Sequence, residues 1–251
     1  MSHTSLKTYL TDQVAPQLEA LTWYRFWVLQ DFIVRGPIRT LNIGTGGGVE
    51  TLRLLAAGNR VTSVEYDADT YQRTEERIRR NRYAGVWKGY HGHVLDVDVD
   101  GPFHVVWMTE VLEHIKDDHL ALKRISSWLE PGGRLVMSTP TASYGQIGEY
   151  TTLSAEEDGA HVRVGYDGPE LDKMLESVGL TTVNRLYIGN TWVQWLHRLE
   201  KRVGVLNEPA RYLLSTLLRL LMPIADRLPP YRPFGQITLA TKQGLGAESV
   251  N

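Results

Sequence analysis

A glycine-rich stretch, Gly44 to Gly48, constrains this chain more than any other feature of its sequence. An apolar run, Thr40 to Ile43, leads into the stretch, and an amphipathic run, Thr51 to Ala57, follows it. This order predicts a strand, a tight turn and a helix. Glycines suit such a turn because it needs positive φ angles and lets a ligand approach bare backbone. The first N–H groups of the helix would face that ligand, so the stretch predicts a cofactor-binding loop.

The kind of cofactor is indicated by Glu65, which ends a second apolar run beginning at Arg60. A carboxylate about 20 residues after the glycines can accept hydrogen bonds from both hydroxyls of a ribose. The dinucleotide fingerprint G-x-G-x-x-G requires a sixth-position glycine, where this chain has Val49. The glycines instead form G-x-G-x-G. The pattern therefore predicts a nucleoside-containing cofactor and disfavours a nicotinamide-dependent oxidoreductase.

Composition excludes several other classes. The formal net charge of -2 argues against a nucleic-acid partner held by phosphate contacts. The chain has no cysteine, which excludes disulfides and thiolate zinc sites. The first residues lack the pattern of a secretory signal, and no apolar run reaches about 18 residues, so we expect neither export nor a spanning helix. The expected location is the cytoplasm, with contact at the inner face of the membrane as an added hypothesis.

Strand and helix patterns alternate along the chain, which predicts a doubly wound α/β sheet with its ligand at the carboxyl ends of the strands. The segment 130–133 reads as a turn, and 141–164 reads as a polar loop. Strands are predicted at 40–43, 60–64, either 86–90 or 93–95, 103–108, 134–138, 181–188 and 236–241, and helices at 6–32, 50–57, 67–83, 117–129 and 168–177.

An insertion at 190–235 interrupts the alternation. Its tryptophans and leucines recur at helical spacing, and Thr191 to Arg232 contains seven Lys or Arg against three acids. The segment could form a lid over an apolar pocket, which we favour, contact another subunit, or lie in a membrane surface. The predicted organisation is an N-terminal helical cap (1–36), a cofactor-binding Rossmann-like core (37–189), the helical lid or insertion (190–235), and a final strand and tail (236–251).

Three sets of residues resemble one family. They are Leu41 to Gly48 with Glu65 and Asp96, Phe103 to Trp107 with Glu110 to Ile115, and Leu129 to Leu135. They are similar to the class I S-adenosylmethionine-dependent methyltransferases, and most of all to the small-molecule branch typified by the ubiquinone and menaquinone methylases. The resemblance implies a Rossmann-like mixed sheet of seven strands, six of them parallel. In it the last strand is antiparallel and lies between strands five and six.

The resemblance also implies cofactor-binding residues. The glycine loop would line the methionine part, Glu65 would bind the ribose, and Asp96 with the backbone near Leu95 would read the adenine amine. Asn42 departs from the family, because most members have Asp or Glu there; Asn can still accept a hydrogen bond from the cofactor's ammonium group. The full predicted set is Tyr24, Arg25, Asn42, Gly44, Thr45, Gly46, Glu65, Tyr66, Leu95, Asp96, Thr109 and Glu110.

Methyl transfer needs an acceptor aligned with the sulfonium methyl, and a hydroxyl acceptor benefits from a general base. We predict His161 as this base, because it lies in the loop after strand five that should face the substrate. Its alternative role, with Arg163, is to fix that loop by hydrogen bonds. His114, Arg163 and Trp192 are the predicted substrate residues. No metal is predicted, because His91, His93 and the nearby aspartates have no compact ligand spacing.

The sequence-based hypothesis is therefore transfer of a methyl group from S-adenosylmethionine to a small, apolar, lipid-like or polyketide-like acceptor, at oxygen. Transfer to nitrogen or carbon is the alternative, because the strands do not encode the acceptor atom. A protein of another class, which binds the cofactor or a membrane without catalysis, is also compatible with Asn42 and the insertion. Homo-oligomer contact through 190–235 stays open.

Overall fold

The computed structural model describes residues 20–143, 153–203, 208–230 and 232–244, and all statements below concern these residues. Seven strands and seven α-helices follow one another along them, with short 3₁₀ turns between some. The strands are β1 (Arg39–Ile43), β2 (Arg60–Glu65), β3 (Trp87–His91), β4 (Phe103–Thr109), β5 (Leu129–Pro140), β6 (Leu180–Ile188) and β7 (Gly235–Lys242). The helices are α1 (Ala20–Leu29), α2 (Val49–Ala56), α3 (Ala68–Arg80), α4 (Asp118–Trp128), α5 (Gly168–Ser177), α6 (Thr191–Val203) and α7 (Glu208–Ala225).

The strands form a single sheet in the order β3-β2-β1-β4-β5-β7-β6. The pairings of β1 with β2 and β4, of β2 with β3, and of β4 with β5 are parallel, whereas β7 is antiparallel to both β5 and β6. This confirms the predicted fold, including the antiparallel last strand between strands five and six. Strands β2 and β3 are added on one side of β1 and strands β4 to β7 on the other, so the switch point of the sheet lies between β1 and β4.

Alternate residues of the central strands pack into two cores on opposite faces of the sheet, as expected for a buried parallel strand. On β4, Val106 and Met108 pack with α4 and α5, whereas Val105 and Trp107 pack with α2. Helices therefore cover both faces of the central strands in the described part of the chain, and the ends of these strands are open to a ligand.

Two local predictions need correction. Strand three is 87–91, so the alternative at 93–95 was wrong. The predicted turn at 130–133 lies inside β5, where Leu129 pairs with Phe103 and Arg134 pairs with Val105. The four residues between them therefore form a bulge, which Gly132 permits with its φ of 78°.

A third core joins the two insertion helices, α6 and α7, to α1. Tyr24 lies in this core, and its hydroxyl donates to Asp226 Oδ2 at 2.6 Å. Asp226 Oδ1 accepts from the backbone N–H of Asn190 at 2.9 Å, and the Asn190 side chain donates to the backbone oxygens of Ala225 and Leu228. A buried polar network thus connects both ends of the insertion to α1. The part of the predicted N-terminal helix before Ala20 lies outside the described residues.

We expect Tyr24→Phe to lower the free energy of unfolding by about 1–3 kcal/mol, because it removes a hydrogen bond from a buried carboxylate. Urea unfolding measures this difference. Tyr66→Phe is the matched control, since Tyr66 is 58% exposed and its change should stay within about 0.5 kcal/mol. Equal unfolding midpoints for Tyr24→Phe and the wild type would show that this pair does not hold the insertion to α1.

Candidate functional site

A cavity of about 440 Å³ lies at the carboxyl ends of β1, β2 and β4, beside the switch point of the sheet. Its wall combines the glycine loop, the ends of these strands, one side of α1 and part of the loop after β5. The lining residues from the predicted set are Arg25, Gly44, Thr45, Gly46, Glu65, Tyr66, Thr109, Glu110 and His114.

The glycine loop has the backbone that its sequence predicts. Gly44, Gly46 and Gly48 have φ angles of 73°, 51° and 76°, and Gly48 is the N-cap residue of α2. A Cβ atom on Gly44 would lie 2.2 Å from Cγ2 of Val111, so a side chain is excluded there by contact as well as by φ. The loop consequently brings bare backbone to the cavity wall.

Glu65 connects this loop to the end of β2. Its Oε2 accepts from the Thr45 backbone N–H at 2.7 Å and from Thr45 Oγ1 at 3.0 Å, and its Oε1 accepts from the Asp67 N–H at 3.0 Å. The carboxylate is therefore held in one orientation at the cavity wall. An acceptor fixed in this way suits a ligand that carries hydroxyl groups.

Two further carboxylates lie at the mouth of β4. Glu110 has a φ of 51° and forms an ion pair with Arg25 at 2.8 Å, while its Oε1 accepts from Ser138 Oγ. Glu50 accepts from Thr109 Oγ1 at 2.6 Å and from Trp107 Nε1 at 3.1 Å. Burial raises the pKa of Glu50, against the opposing effects of the Thr109 hydrogen bond and of Arg25. The sequence analysis missed Glu50. Its position in the first turn of the helix after the glycine loop could have indicated a residue of the site.

A third carboxylate, Glu113, is fully buried next to two histidines. Neither of its carboxylate oxygens has a hydrogen-bond partner among the described residues, and burial raises the pKa of Glu113 well above its ordinary value. The rings of His114 and His161 meet edge to face, with centroids 4.7 Å apart. Burial, and then His114, lower the pKa of His161. The fold thus places a proton-accepting group beside His114, which lines the cavity.

Backbone contacts hold the His161 loop against the end of β4. The N–H groups of Val162 and Arg163 both point to the backbone oxygen of Glu113, at 3.0 and 3.3 Å. The Nδ1 atom of His114 lies 2.9 Å from the backbone oxygen of Ala160, within hydrogen-bond distance. His161 itself is half-buried and contacts the cavity only through its neighbours.

The same three residues could hold a metal ion. Glu113, His114 and His161 each offer one ligand atom, and these atoms lie within 4.8 Å of one another. One carboxylate with two imidazoles is a donor set that divalent transition metals accept. A cation would also provide a partner for the two carboxylate oxygens of Glu113, neither of which has a hydrogen-bond partner among the described residues. The sequence analysis predicts no metal and does not consider this cluster. His114 and His161 are 47 positions apart in the chain, and the fold brings them together.

Several predicted residues lie away from the cavity lining. Tyr24 contacts Asp226 in the third core. Asn42 is fully buried and donates to Thr51 Oγ1 at 2.8 Å. Leu95 packs on the core beneath the sheet, and Asp96 is exposed. Gly92, His93 and Val94 line the cavity in their place.

Arg163 and Trp192 also have other contacts. Arg163 forms ion pairs with Asp118 and Glu170, each at 2.9 Å, and its guanidinium lies over the Tyr166 ring. These contacts match the alternative in which Arg163 fixes the loop. Trp192 is 44% exposed on α6 and donates from Nε1 to the backbone oxygen of Pro229.

Sequence reasoning also missed part of the wall. Glu157 pairs with His93 at 3.1 Å and accepts from the Lys116 N–H at 2.6 Å, so it joins the loop after β5 to the ends of β3 and β4. Its position could not be read from a loop without periodicity. The other lining residues that were not predicted include Thr22, Phe26, Asp67 and Thr70.

Residues 25–185 match a protein-family model described as a methyltransferase domain. This segment contains the glycine loop, Glu65 and the Glu113–His114–His161 cluster. The chain belongs to this family of methyltransferase domains.

Named relatives and solved structures agree with this assignment. The chain is 24% identical over 194 residues to a ubiquinone biosynthesis O-methyltransferase of Methylococcus capsulatus, covering 75% of this chain and 82% of that relative. Coclaurine N-methyltransferase bound to N-methylheliamine and SAH has a TM-score of 0.59 at 16% identity, with 89% of this chain and 72% of that chain covered. The [4+2]-cyclase SpnF has a TM-score of 0.60 at 14% identity, with 88% of this chain and 82% of that chain covered. These structural likenesses show the fold, and SpnF shows that the fold alone does not decide the reaction.

Proposed function

We propose that this methyltransferase uses S-adenosylmethionine to methylate a hydroxyl group of a small apolar acceptor. The observation that carries the proposal is one cavity with two ends of different chemistry. One end has the glycine loop and the fixed carboxylate of Glu65, and the other has His114 backed by His161 and Glu113. The O-methyltransferase name of the curated relative supports oxygen as the acceptor atom.

The cofactor would lie along the glycine loop. Bare backbone at Gly44 and Gly46 suits the methionine part, and Glu65 would accept hydrogen bonds from the ribose hydroxyls. Arg25 lies at the methionine end, where a guanidinium can pair with a carboxylate. The adenine would lie near Gly92 and His93, with the Tyr66 ring at the rim. The cofactor-binding set that we propose keeps Arg25, Gly44, Thr45, Gly46, Glu65, Tyr66, Thr109 and Glu110.

The chemical step is an in-line displacement at the sulfonium methyl. A bond forms between the acceptor oxygen and the methyl carbon, the sulfur–carbon bond breaks, and S-adenosylhomocysteine leaves as a neutral thioether. The hydroxyl proton must go to a base, and the Glu113–His114–His161 cluster is the group that can accept it. The lowered pKa of His161 keeps its ring neutral and available for this role.

Glu65→Gln tests the cofactor site. It keeps the size of the side chain but removes its charge, so we expect the Kd for S-adenosylmethionine to rise roughly tenfold in calorimetry. Asp69→Asn is the control, because Asp69 is an exposed acid in the first turn of α3 outside the cavity lining. Absence of binding to the wild type at high micromolar cofactor would refute the proposal, and equal affinity in Glu65→Gln would remove Glu65 from the site.

His161→Ala tests activation of the acceptor. We expect kcat on an alkylated catechol to fall about 10²- to 10⁴-fold, the usual contribution of a positioned proton acceptor, with unchanged cofactor affinity. His119→Ala is the matched control, because His119 is an exposed histidine that contacts Ser177 outside the cavity lining. Unchanged turnover in His161→Ala would remove this histidine from catalysis. Faster methylation of amines than of hydroxyls, insensitive to the substitution, would favour an N-methyltransferase.

Removal of divalent cations tests how the cluster acts. A bound cation would polarise the acceptor hydroxyl and balance the charge of Glu113. If a cation acts in this way in place of proton transfer to His161, dialysis against EDTA should lower turnover at least about tenfold, and Mn²⁺ should restore it. Full turnover after EDTA treatment would instead assign proton transfer to His161 without a metal.

A further inference from the structure

Helix α7 has two apolar faces, and only one of them packs on the described part of the chain. Leu218, Met222 and Ala225 lie in the third core with α1 and α6. The opposite stripe faces outward, with Leu213 65%, Leu220 62% and Ile224 59% exposed. The complete outer stripe, at spacings of three and four residues, is Leu213, Leu217, Leu220, Leu221 and Ile224, and Leu228 follows just after the helix.

The neighbouring helix α6 also exposes two tryptophans, and Nε1 of Trp192 donates to the backbone oxygen of Pro229, shortly after the end of α7. Trp195 is 56% exposed and Trp192 is 44% exposed, although Val193 and Leu196 of the same helix are buried. A contiguous exposed patch of large apolar side chains marks an interaction surface in a folded protein. Tryptophan favours the boundary between lipid headgroups and acyl chains, because its ring is apolar and its N–H is polar.

The charges around this surface select the partner. Two of the acids in the insertion (190–235) already accept hydrogen bonds from α1. Glu200 accepts from the Ala20 N–H at 2.6 Å, and Asp226 is buried against Tyr24. Exposed basic residues of the same insertion (190–235) include Arg202, Arg227 and Arg232. A second copy of this face would place like charges against one another, whereas an anionic lipid surface would balance them.

We propose that the outer face of α6 and α7 docks on the surface of an anionic lipid bilayer. No helix in the described part of the chain is long and apolar enough to cross a membrane, so the helix pair would lie in the plane of the interface. The inner face of the same pair packs on α1, which contributes Thr22, Arg25 and Phe26 to the cavity wall. Docking would therefore place the bilayer on the side of the protein where α1 forms the wall of the cavity.

Co-sedimentation of the full chain with vesicles tests this inference. We expect binding to vesicles of equimolar phosphatidylglycerol and phosphatidylcholine, weaker binding as salt increases, and little binding to phosphatidylcholine alone. The double variant L217E/L220E places two charges in the exposed stripe and should lower the partition coefficient at least about tenfold. V183E is the matched control, since Val183 is 57% exposed on β6, and it should bind as the wild type does.

A second variant separates charge from apolar contact. R202Q/R227Q leaves the leucine stripe intact and should weaken binding to the anionic vesicles, which keeps the test decisive if L217E/L220E does not fold. Failure of the wild type to bind anionic vesicles, or equal loss in V183E, would overturn the inference. So would a dimer in light scattering that L217E/L220E dissociates, because the face would then belong to a second copy. Calorimetry with S-adenosylmethionine should give the wild-type Kd in all variants. A loss of vesicle binding can then be told apart from a loss of cofactor binding.

Discussion

The parallel pairing of β1 with β2 on one side and β4 on the other is the constraint on which the site depends. It brings the ends of three strands to one edge of the sheet, where Gly44, Glu65 and Glu110 follow directly. The hydrogen bond from the Thr45 N–H to Glu65 then joins the first of these ends to the second at 2.7 Å. Because the sheet is buried on both faces, this edge is the part of the central strands that a ligand can reach.

Three carboxylates converge at the mouth of β4, and each is stabilised differently. Glu110 has Arg25 and Ser138 as partners, whereas Glu50 has the hydroxyl of Thr109 and the indole of Trp107. Glu113 has no such partner among the described residues, although its backbone oxygen anchors the loop that carries His161. A buried carboxylate without hydrogen-bond donors is stabilised when it binds a proton or when a cation lies next to it. The electrostatics of this end of the cavity therefore differ from those at the glycine loop, where backbone N–H groups of Thr45 and Asp67 orient the Glu65 carboxylate.

The insertion shows how one helix can serve two purposes. The inner face of α7 completes a core with α1, and a buried network through Tyr24, Asp226 and Asn190 fixes that contact. The outer face has equally apolar residues that the described chain leaves exposed. Burial on one side thus accounts for the packing of the helix pair on α1, and the other side is the face that we propose to contact lipid.

The sequence by itself determined the doubly wound fold class and the position of the glycine loop. Those features depend on local patterns: apolar strands, glycines at positive φ, and an acid at the end of β2. The place of the antiparallel last strand was implied by the resemblance to a family and not by any local pattern. Boundaries of most elements followed for the same reason, and the segment 130–133 failed because a glycine turn and a glycine bulge look alike in sequence. Only the tertiary structure decided which distant residues meet. It packed Tyr24 of α1 against Asp226 of the insertion, placed Trp192 against Pro229 outside the cavity lining, engaged Arg163 in ion pairs, and brought His161 against His114 and Glu113. Such contacts join residues far apart in the chain, and no local spacing records them.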